Sequence, residues 1–160
     1  SHEAAAVKAA EQLAAGHTVA LITLGDATVY STYLYVHERI KRLGFETRIV
    51  NGIPSFCAAA ARLDMPLVNG SQKLHILPAS YHIEEALELP GVKVLMKSGR
   101  QMPKVKALLK EKGLEARMVE NCGMEGEKTY QSLEEIPDDA GYFSLLIAES
   151  SEEKQGGQRT

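Results

Sequence analysis

Residues 18–33 read TVALITLGDATVYSTY, and this stretch decides the fold class. Residues 18–24 form a continuous run of apolar and β-branched residues, which is typical of a strand buried on both faces of a parallel sheet. Gly25 and Asp26 end the run, and a helix is predicted from about Thr28 to Leu43, closed by Gly44. A buried strand that feeds directly into a helix is the basic unit of an α/β fold.

The same alternation continues on both sides of this stretch. Residues 4–15 are alanine-rich and helix-prone, and Gly16 is the expected C-terminal cap. The later apolar runs predict helices at 54–63, 83–89 and 103–112, and strands at 45–50, 73–78, 92–97, 117–121 and 142–149. We therefore predict an α/β chain in which all of these later strands share one sheet and 18–24 lies outside it. The polar tail, residues 150–160, is predicted to be disordered.

Composition narrows the class of function. The chain has 160 residues, 44% of them hydrophobic, and no apolar run is long enough to span a membrane. Its formal charge is −3 and its lysines and arginines are scattered, which argues against a large nucleic-acid interface. Cys57, Cys122 and the five histidines show no metal-ligand spacing, so no bound metal is expected. The cytoplasm is the expected compartment.

Two strand-to-helix turns are the first candidates for a binding site. Leu24, Gly25 and Asp26 stand at the carboxyl end of a predicted strand, where open α/β sheets bind ligands. The carboxylate could accept hydrogen bonds from a ligand, or it could cap the following helix. The second turn, GIPS at 52–55, could hold a ligand's polar edge on its amides, or simply begin a helix. Neither turn carries a dinucleotide-binding or P-loop pattern.

Three further groups follow with weaker signals. Tyr30, Tyr33 and Tyr35 crowd a predicted helix start, where they could line the cleft of a planar substrate or pack against the protein. Residues 97–100 and 120–123 each follow or end a predicted strand. They could contribute to a site, or they could be a solvated charge cluster and a simple turn.

Taken in order, these segments resemble one family. The runs TLGDATVYSTYLYV, GIPSFCAAAARLDMPL, VLMKSGR, VENCGMEGE and YFSLLI are similar to the tetrapyrrole methylase superfamily over about residues 4–149. The YSTY after the Gly-Asp turn and the SF after GIP resemble the branch that methylates C20 of precorrin-2, or of its cobalt form, in cobalamin biosynthesis.

The resemblance implies a methyltransferase of two α/β domains with S-adenosylmethionine in the cleft between them. The family's first domain opens with a GxGxGD segment that this sequence lacks. Residues 1–33 are therefore expected to form the end of the first domain and residues 34–149 the whole of the second. It also implies a tetrapyrrole substrate, a homodimer and little activity for the isolated 160 residues. Composition, for its part, predicts no nucleic-acid or membrane partner.

The resemblance also implies site residues. Those expected at S-adenosylmethionine are Leu24, Gly25, Asp26, Val29, Pro54, Ser55, Lys97, Ser98, Asn121, Cys122 and Gly123. Those expected at the substrate are Tyr30, Ser31 and Tyr33, with the substrate's carboxylates met by cations among Arg39, Arg42, Arg62, Lys97 and Arg100. Ala27 and Asn51 stand where the family often has proline, and no residue stands out as a general base.

Other functions remain open. Another corrin-ring methylase or diphthine synthase would share the same motifs. A ribosomal RNA ribose methyltransferase of the same superfamily would be expected to show a stronger basic stripe. A ligand-binding or dimerisation module without activity is the alternative outside the enzymes.

Overall fold

A computed structural model describes residues 2–79 and 82–151. The chain divides into two compact units between Pro54 and Ser55. The tail predicted to be disordered, residues 150–160, was placed one residue too early, because Ser150 is the last residue of a strand; from residue 152 onward it lies outside the described residues. The expected boundary between the family's two domains, after residue 33, stays a prediction. No helix in the described ranges is both long and apolar enough to cross a membrane.

The first unit is built on two helices, α1 (His2–Ala14) and α2 (Tyr33–Arg42). Their small and branched side chains pack together in a core of Ala6, Ala9, Val36 and Ile40. As predicted, α1 stops at Gly16, whose φ of +85° is the left-handed conformation that glycine adopts without strain. The amide of Gly16 then donates to the Leu13 carbonyl at 3.0 Å, which satisfies one of the last carbonyls of the helix.

The strands predicted at 18–24 and 45–50 are wrong. Both segments are irregular, and residues 2–54 contain no strand. Ile22 is 97% exposed and Val50 83% exposed, so these apolar side chains are not buried within a sheet. Apolar, β-branched sequence favours a strand, but a strand forms only when a neighbouring strand takes up its hydrogen bonds, and none lies beside these segments in the described chain. Residues 18–24 do lie outside the sheet, as predicted, whereas 45–50 does not join it.

The second helix also begins later than predicted. The predicted start near Thr28 is replaced by turns, and α2 begins at Tyr33. Tyr30 has a φ of +51°, which a right-handed helix cannot contain. The amide of Tyr33 instead donates to the Ser31 hydroxyl at 3.2 Å, so a side chain satisfies one amide of the first turn.

The second unit contains one five-stranded mixed sheet. Its strands are β1 (Leu74–Pro78), β2 (Val92–Met96), β3 (Leu114–Glu120), β4 (Lys128–Tyr130) and β5 (Ser144–Ser150). Their order is β1-β2-β5-β3-β4, with β1 parallel to β2 and every other pair antiparallel. Four of these strands were predicted, with ends that differ by at most three residues. The three-residue β4 was not, because KTY has no apolar alternation.

Helices cover this sheet. They are α3 (Ser55–Arg62), the four-residue α4 (Glu84–Leu87) and α5 (Met102–Glu111), all predicted. The core under α5 joins alternate residues of three strands to the apolar face of that helix, and its most deeply buried members are Leu95, Met102, Leu109, Met118, Ile136 and Leu146. Arg117 alternates with these positions along β3 and donates to the Met65 sulfur at 3.4 Å, so the segment after α3 covers the other face.

Candidate functional site

In the first unit, Asp26 ties together the two turns that sequence predicted as ligand sites. One carboxylate oxygen, Oδ1, accepts from the amide of Thr28 at 2.8 Å and from the Thr28 hydroxyl. The other, Oδ2, accepts from the amide of Gly52 at 2.9 Å. The carboxylate therefore does not cap α2, which begins seven residues later, and the capping alternative is wrong.

The two turns touch at their backbones. A β-carbon added to Gly52 would lie 2.2 Å from the carbonyl oxygen of Gly25, well inside van der Waals contact. Gly25 itself has a φ of +76°. Residue 52 must therefore be glycine for the turns to come this close, and residue 25 takes a conformation that other residues adopt only with strain. Gly52 was quoted in the GIPS turn but was not among the predicted site residues.

The surroundings of Asp26 keep it ionised. The hydrogen bonds from the side chain and then the backbone of Thr28, followed by the one from Gly52, hold the pKa of the Asp26 carboxyl below its ordinary value. The side chain is 8% exposed and has both oxygens engaged by protein donors. Its charge is therefore directed into the junction of the two turns rather than toward solvent.

Apolar and half-buried side chains surround this junction. Leu24 and Ile53 are 72% and 70% exposed, Tyr30 is 52% exposed, and Val29 and Pro54 are half-buried. Exposed apolar side chains beside glycine turns with polar backbone groups suit a ligand that has both a flat apolar part and polar edges.

The three tyrosines near the start of α2 lie in different environments. The Tyr33 hydroxyl lies 3.5 Å from Nδ1 of His37, and the two rings are 5.8 Å apart, so Tyr33 packs along α2. Tyr35 stacks on His2 with ring centroids 5.5 Å apart. Tyr30 remains the most exposed of the three predicted substrate residues, while Ser31 receives the amide of Tyr33.

In the second unit, the predicted residues gather at one edge of the sheet. β2 and β3 both run antiparallel to β5, so their carboxyl ends lie on the same side, and Leu145 pairs with both Met96 and Val119. The turn after β2 contains Lys97 and Ser98, and the turn after β3 contains Asn121, Cys122 and Gly123. Sequence spacing predicted these turns, and strand pairing brings them to one edge.

The turn after β2 is strained and tightly packed. Lys97 is exposed and has a φ of +60°, an uncommon conformation for lysine. Ser98 is fully buried with its hydroxyl 3.5 Å from the Leu95 carbonyl, so its side chain faces the protein interior. A β-carbon on Gly99 would lie 2.2 Å from the Gly141 carbonyl oxygen, so this turn rests directly on the loop before β5.

The turn after β3 is held by a carboxylate that sequence reasoning missed. Glu127 accepts from the amide of Gly123 at 2.6 Å and lies 2.7 Å from Nε of Arg62. The Gly123 hydrogen bond and then the Arg62 pair hold the pKa of Glu127 below its ordinary value, while partial burial opposes them. Burial, with the nearby Glu127 charge, raises the pKa of the Cys122 thiol, so this thiol is less reactive than a free cysteine.

The candidate cations differ in their surroundings. Arg62 pairs with Glu127, and Arg39 lies 3.0 Å from Glu3. Arg42, Lys97 and Arg100 are exposed. Among residues 2–79 and 82–151, no group of three or more histidine, cysteine or acidic side chains is placed to hold a metal ion.

Comparison with known proteins assigns the family. The sequence profile of the tetrapyrrole (corrin/porphyrin) methylases matches residues 1–137. The chain is 38% identical over 132 residues to the probable cobalt-precorrin-2 C(20)-methyltransferase of Methanocaldococcus jannaschii, covering 81% of this chain and 57% of that protein. It is 37% identical over 153 residues to the cobalt-precorrin-2 C(20)-methyltransferase of Salmonella typhimurium, covering 91% and 64%.

Solved structures agree at the level of the fold. A cobalt precorrin-4 methyltransferase superposes with a TM-score of 0.80 at 17% identity, covering 93% of this chain and 71% of that one. Uroporphyrin-III C-methyltransferase from Thermus thermophilus, complexed with S-adenosylhomocysteine, gives a TM-score of 0.60 at 16% identity, covering 78% and 62%. With the profile match and the close sequence relatives, these findings show that the chain belongs to the tetrapyrrole methylase family.

Proposed function

We propose that the complete protein transfers a methyl group from S-adenosylmethionine to C20 of precorrin-2, or of its cobalt form, in cobalamin biosynthesis. The observation that carries this proposal is the 37–38% identity to two proteins named for that reaction. The chain spans about three fifths of the length of these relatives, 57% of one and 64% of the other, so the activity is proposed for the complete protein.

S-adenosylmethionine would supply a methyl group already activated on a sulfonium. The residues proposed to hold it in the first unit are Gly25 and Pro54 of the joined turns, flanked by Leu24 and Val29, with Asp26 holding the two turns together. In the second unit they are Ser55, at the start of α3, and the two turns at the sheet edge. Lys97, Ser98, Asn121, Cys122 and Gly123 form those turns, and the buried Ser98 would contribute through its backbone.

The protein itself would orient the methyl donor and the acceptor carbon. Methyl transfer to carbon needs the donor and the acceptor carbon aligned and water kept away. The carbon–sulfur bond of the donor breaks as the new carbon–carbon bond forms, and C20 then loses its proton, for which no described residue stands out as the base. The two glycine contacts, at Gly52 and Gly99, fix turn positions through the backbone, which is a rigid way to place a ligand. Tyr30, Ser31 and Tyr33 are proposed at the planar substrate, and the exposed Arg42, Lys97 and Arg100 at its carboxylates. We also propose a homodimer in the cytoplasm.

Calorimetric titration of the complete protein with S-adenosylhomocysteine tests the binding part of this proposal. We expect saturable one-to-one binding per chain, with at least tenfold weaker binding of adenosine, because the amino-acid end would lose its partners. The Lys97→Gly variant should retain the fold, because glycine adopts the left-handed φ at this position without strain. Its affinity for S-adenosylhomocysteine shows whether the lysine side chain contributes to binding. Absence of saturable binding by the natural protein would remove the cofactor assignment.

A further inference from the structure

We propose that Asp26 is a positioning residue that acts through Gly52: its carboxylate fixes the turn of residues 52–54 against the turn of residues 24–26, and so sets the backbone on which the ligand rests. This inference rests on the proposed function for what the ligand is. It differs from direct contact between Asp26 and the cofactor, which the family resemblance implied.

The geometry favours this role over direct contact. Oδ1 is occupied by two donors of Thr28, and Oδ2 receives the Gly52 amide at 2.9 Å from a position 26 residues away in the chain. With 8% of the residue exposed, little of the carboxylate remains for a ligand. An ionised acceptor also makes stronger hydrogen bonds than a neutral one, so the charge serves the junction itself.

Gly52 supplies the second half of the argument. Its absent side chain lets the two turns meet, since a β-carbon there would lie 2.2 Å from the Gly25 oxygen and 3.6 Å from the α-carbon of Asp26. The hydrogen bond and the close approach are therefore two parts of one junction. Breaking either part should displace the same turn, and breaking both should add little further damage.

A double-mutant cycle in the complete protein tests this prediction. Asp26→Asn keeps an oxygen for Thr28 but presents an NH₂ group to the Gly52 amide, and Gly52→Ala introduces the clash. We expect each variant to weaken S-adenosylhomocysteine binding about tenfold or more, and the double variant to bind no more than about threefold weaker than the weaker single one. Effects that multiply across the two substitutions would show that Asp26 acts independently of Gly52, and would overturn the proposal.

Amide hydrogen exchange provides a readout that needs no ligand. In the unliganded protein, Asp26→Asn should speed exchange of the Gly52 amide about tenfold or more relative to amides of the α1–α2 core. Thr28→Val is the matched control, because it removes a donor from the same carboxylate but leaves the Gly52 bond. It should change Gly52 exchange by less than about threefold. Equal Gly52 exchange in the natural protein and Asp26→Asn would overturn the positioning role.

Failure of the cofactor assignment and failure of the positioning role of Asp26 would give different results. If the natural protein does not bind S-adenosylhomocysteine, the proposed cofactor is wrong, and the Gly52 exchange rates still decide whether Asp26 fixes the turn. If it binds and Asp26→Asn leaves Gly52 protected, the cofactor assignment stands and the positioning role is removed.

Discussion

Oε1 of Glu120 accepts a hydrogen bond from the amide of Gly141 at 2.6 Å, which joins the end of β3 to the loop before β5. The second oxygen of the same carboxylate accepts from the Tyr130 hydroxyl at 3.3 Å. Because Gly99 also packs against Gly141, this one side chain indirectly supports the turn after β2. Glu120 belongs to the 120–123 segment that sequence singled out, but it was not among the residues expected at the cofactor or the substrate, and Gly141 was not predicted at all.

Replacing Glu120 should therefore loosen the sheet edge. Glu120→Ala leaves the exposed Gly141 amide to water, and we expect it to lower the free energy of unfolding by about 0.5–1.5 kcal/mol. Glu120→Gln retains a carbonyl oxygen for Gly141 and should recover at least half of that loss. Chemical denaturation measures both. Equal stability of the natural protein and Glu120→Ala would show that the hydrogen bond contributes nothing.

The close approach of Gly99 to Gly141 predicts a strong steric effect. In Gly99→Ala the new β-carbon would meet backbone on the other loop, which cannot move aside as a side chain can, so we expect a loss of about 1–3 kcal/mol. Gly113→Asn is the control, since that site has open space and asparagine tolerates its left-handed φ of +64°. Thermal unfolding should separate the two variants, and a similar small shift in both would contradict the packing argument.

The lowered pKa of Asp26 predicts a pH dependence of stability. A carboxyl whose pKa is lower in the folded state stabilises that state above its unfolded pKa of about 4, and this stabilisation is lost as the pH falls through the folded value. The natural protein should thus be more stable than Asp26→Asn at neutral pH, with the difference shrinking below about pH 4. Denaturation across this range measures it. A stability difference between the natural protein and Asp26→Asn that stays constant with pH would contradict the prediction.

The carboxylate of Glu127 holds the turn that is proposed at the cofactor. Glu127→Gln loses the charge that Arg62 and the Gly123 amide both engage, so exchange of the Gly123 amide should accelerate several-fold. Binding of S-adenosylhomocysteine to the complete protein should weaken about three- to tenfold. Glu125→Gln, in the same turn and exposed, is the matched control and should change neither quantity. If Glu127→Gln speeds exchange of the Gly123 amide but leaves S-adenosylhomocysteine binding unchanged, this turn does not contribute to the cofactor site.

Much of the second unit could be predicted from sequence because its signals are local. Pro103 lies in the first turn of α5, Gly113 follows its end, and the apolar run ending at Met96 forms a strand that is buried as predicted. The direction of the strands could not be predicted, since β-propensity carries no information on whether neighbours are parallel. Nor could β4, which exists because Glu120, Val119 and Met118 offer it a partner.

The first unit shows where local signals fail. The run at 18–24 has the composition of a buried strand, yet Ile22 and Leu24 are exposed, because burial depends on neighbours that composition does not describe. The candidate site was likewise predictable only in its local parts. The Gly25-Asp26 turn and the GIPS turn could be identified, but their junction could not, because a hydrogen bond between positions 26 and 52 leaves no trace in either local pattern.

The central claim is tested most directly by analysing the product that the complete protein forms. With precorrin-2 or its cobalt form and S-adenosylmethionine labelled with carbon-13 in the methyl group, we predict that the tetrapyrrole gains one methyl by mass spectrometry and that the label is placed at C20 by NMR. Label at another ring carbon would leave the family assignment intact and contradict the proposed reaction. Label transferred to ribosomal RNA, with the tetrapyrrole unchanged, would contradict the proposed substrate class altogether.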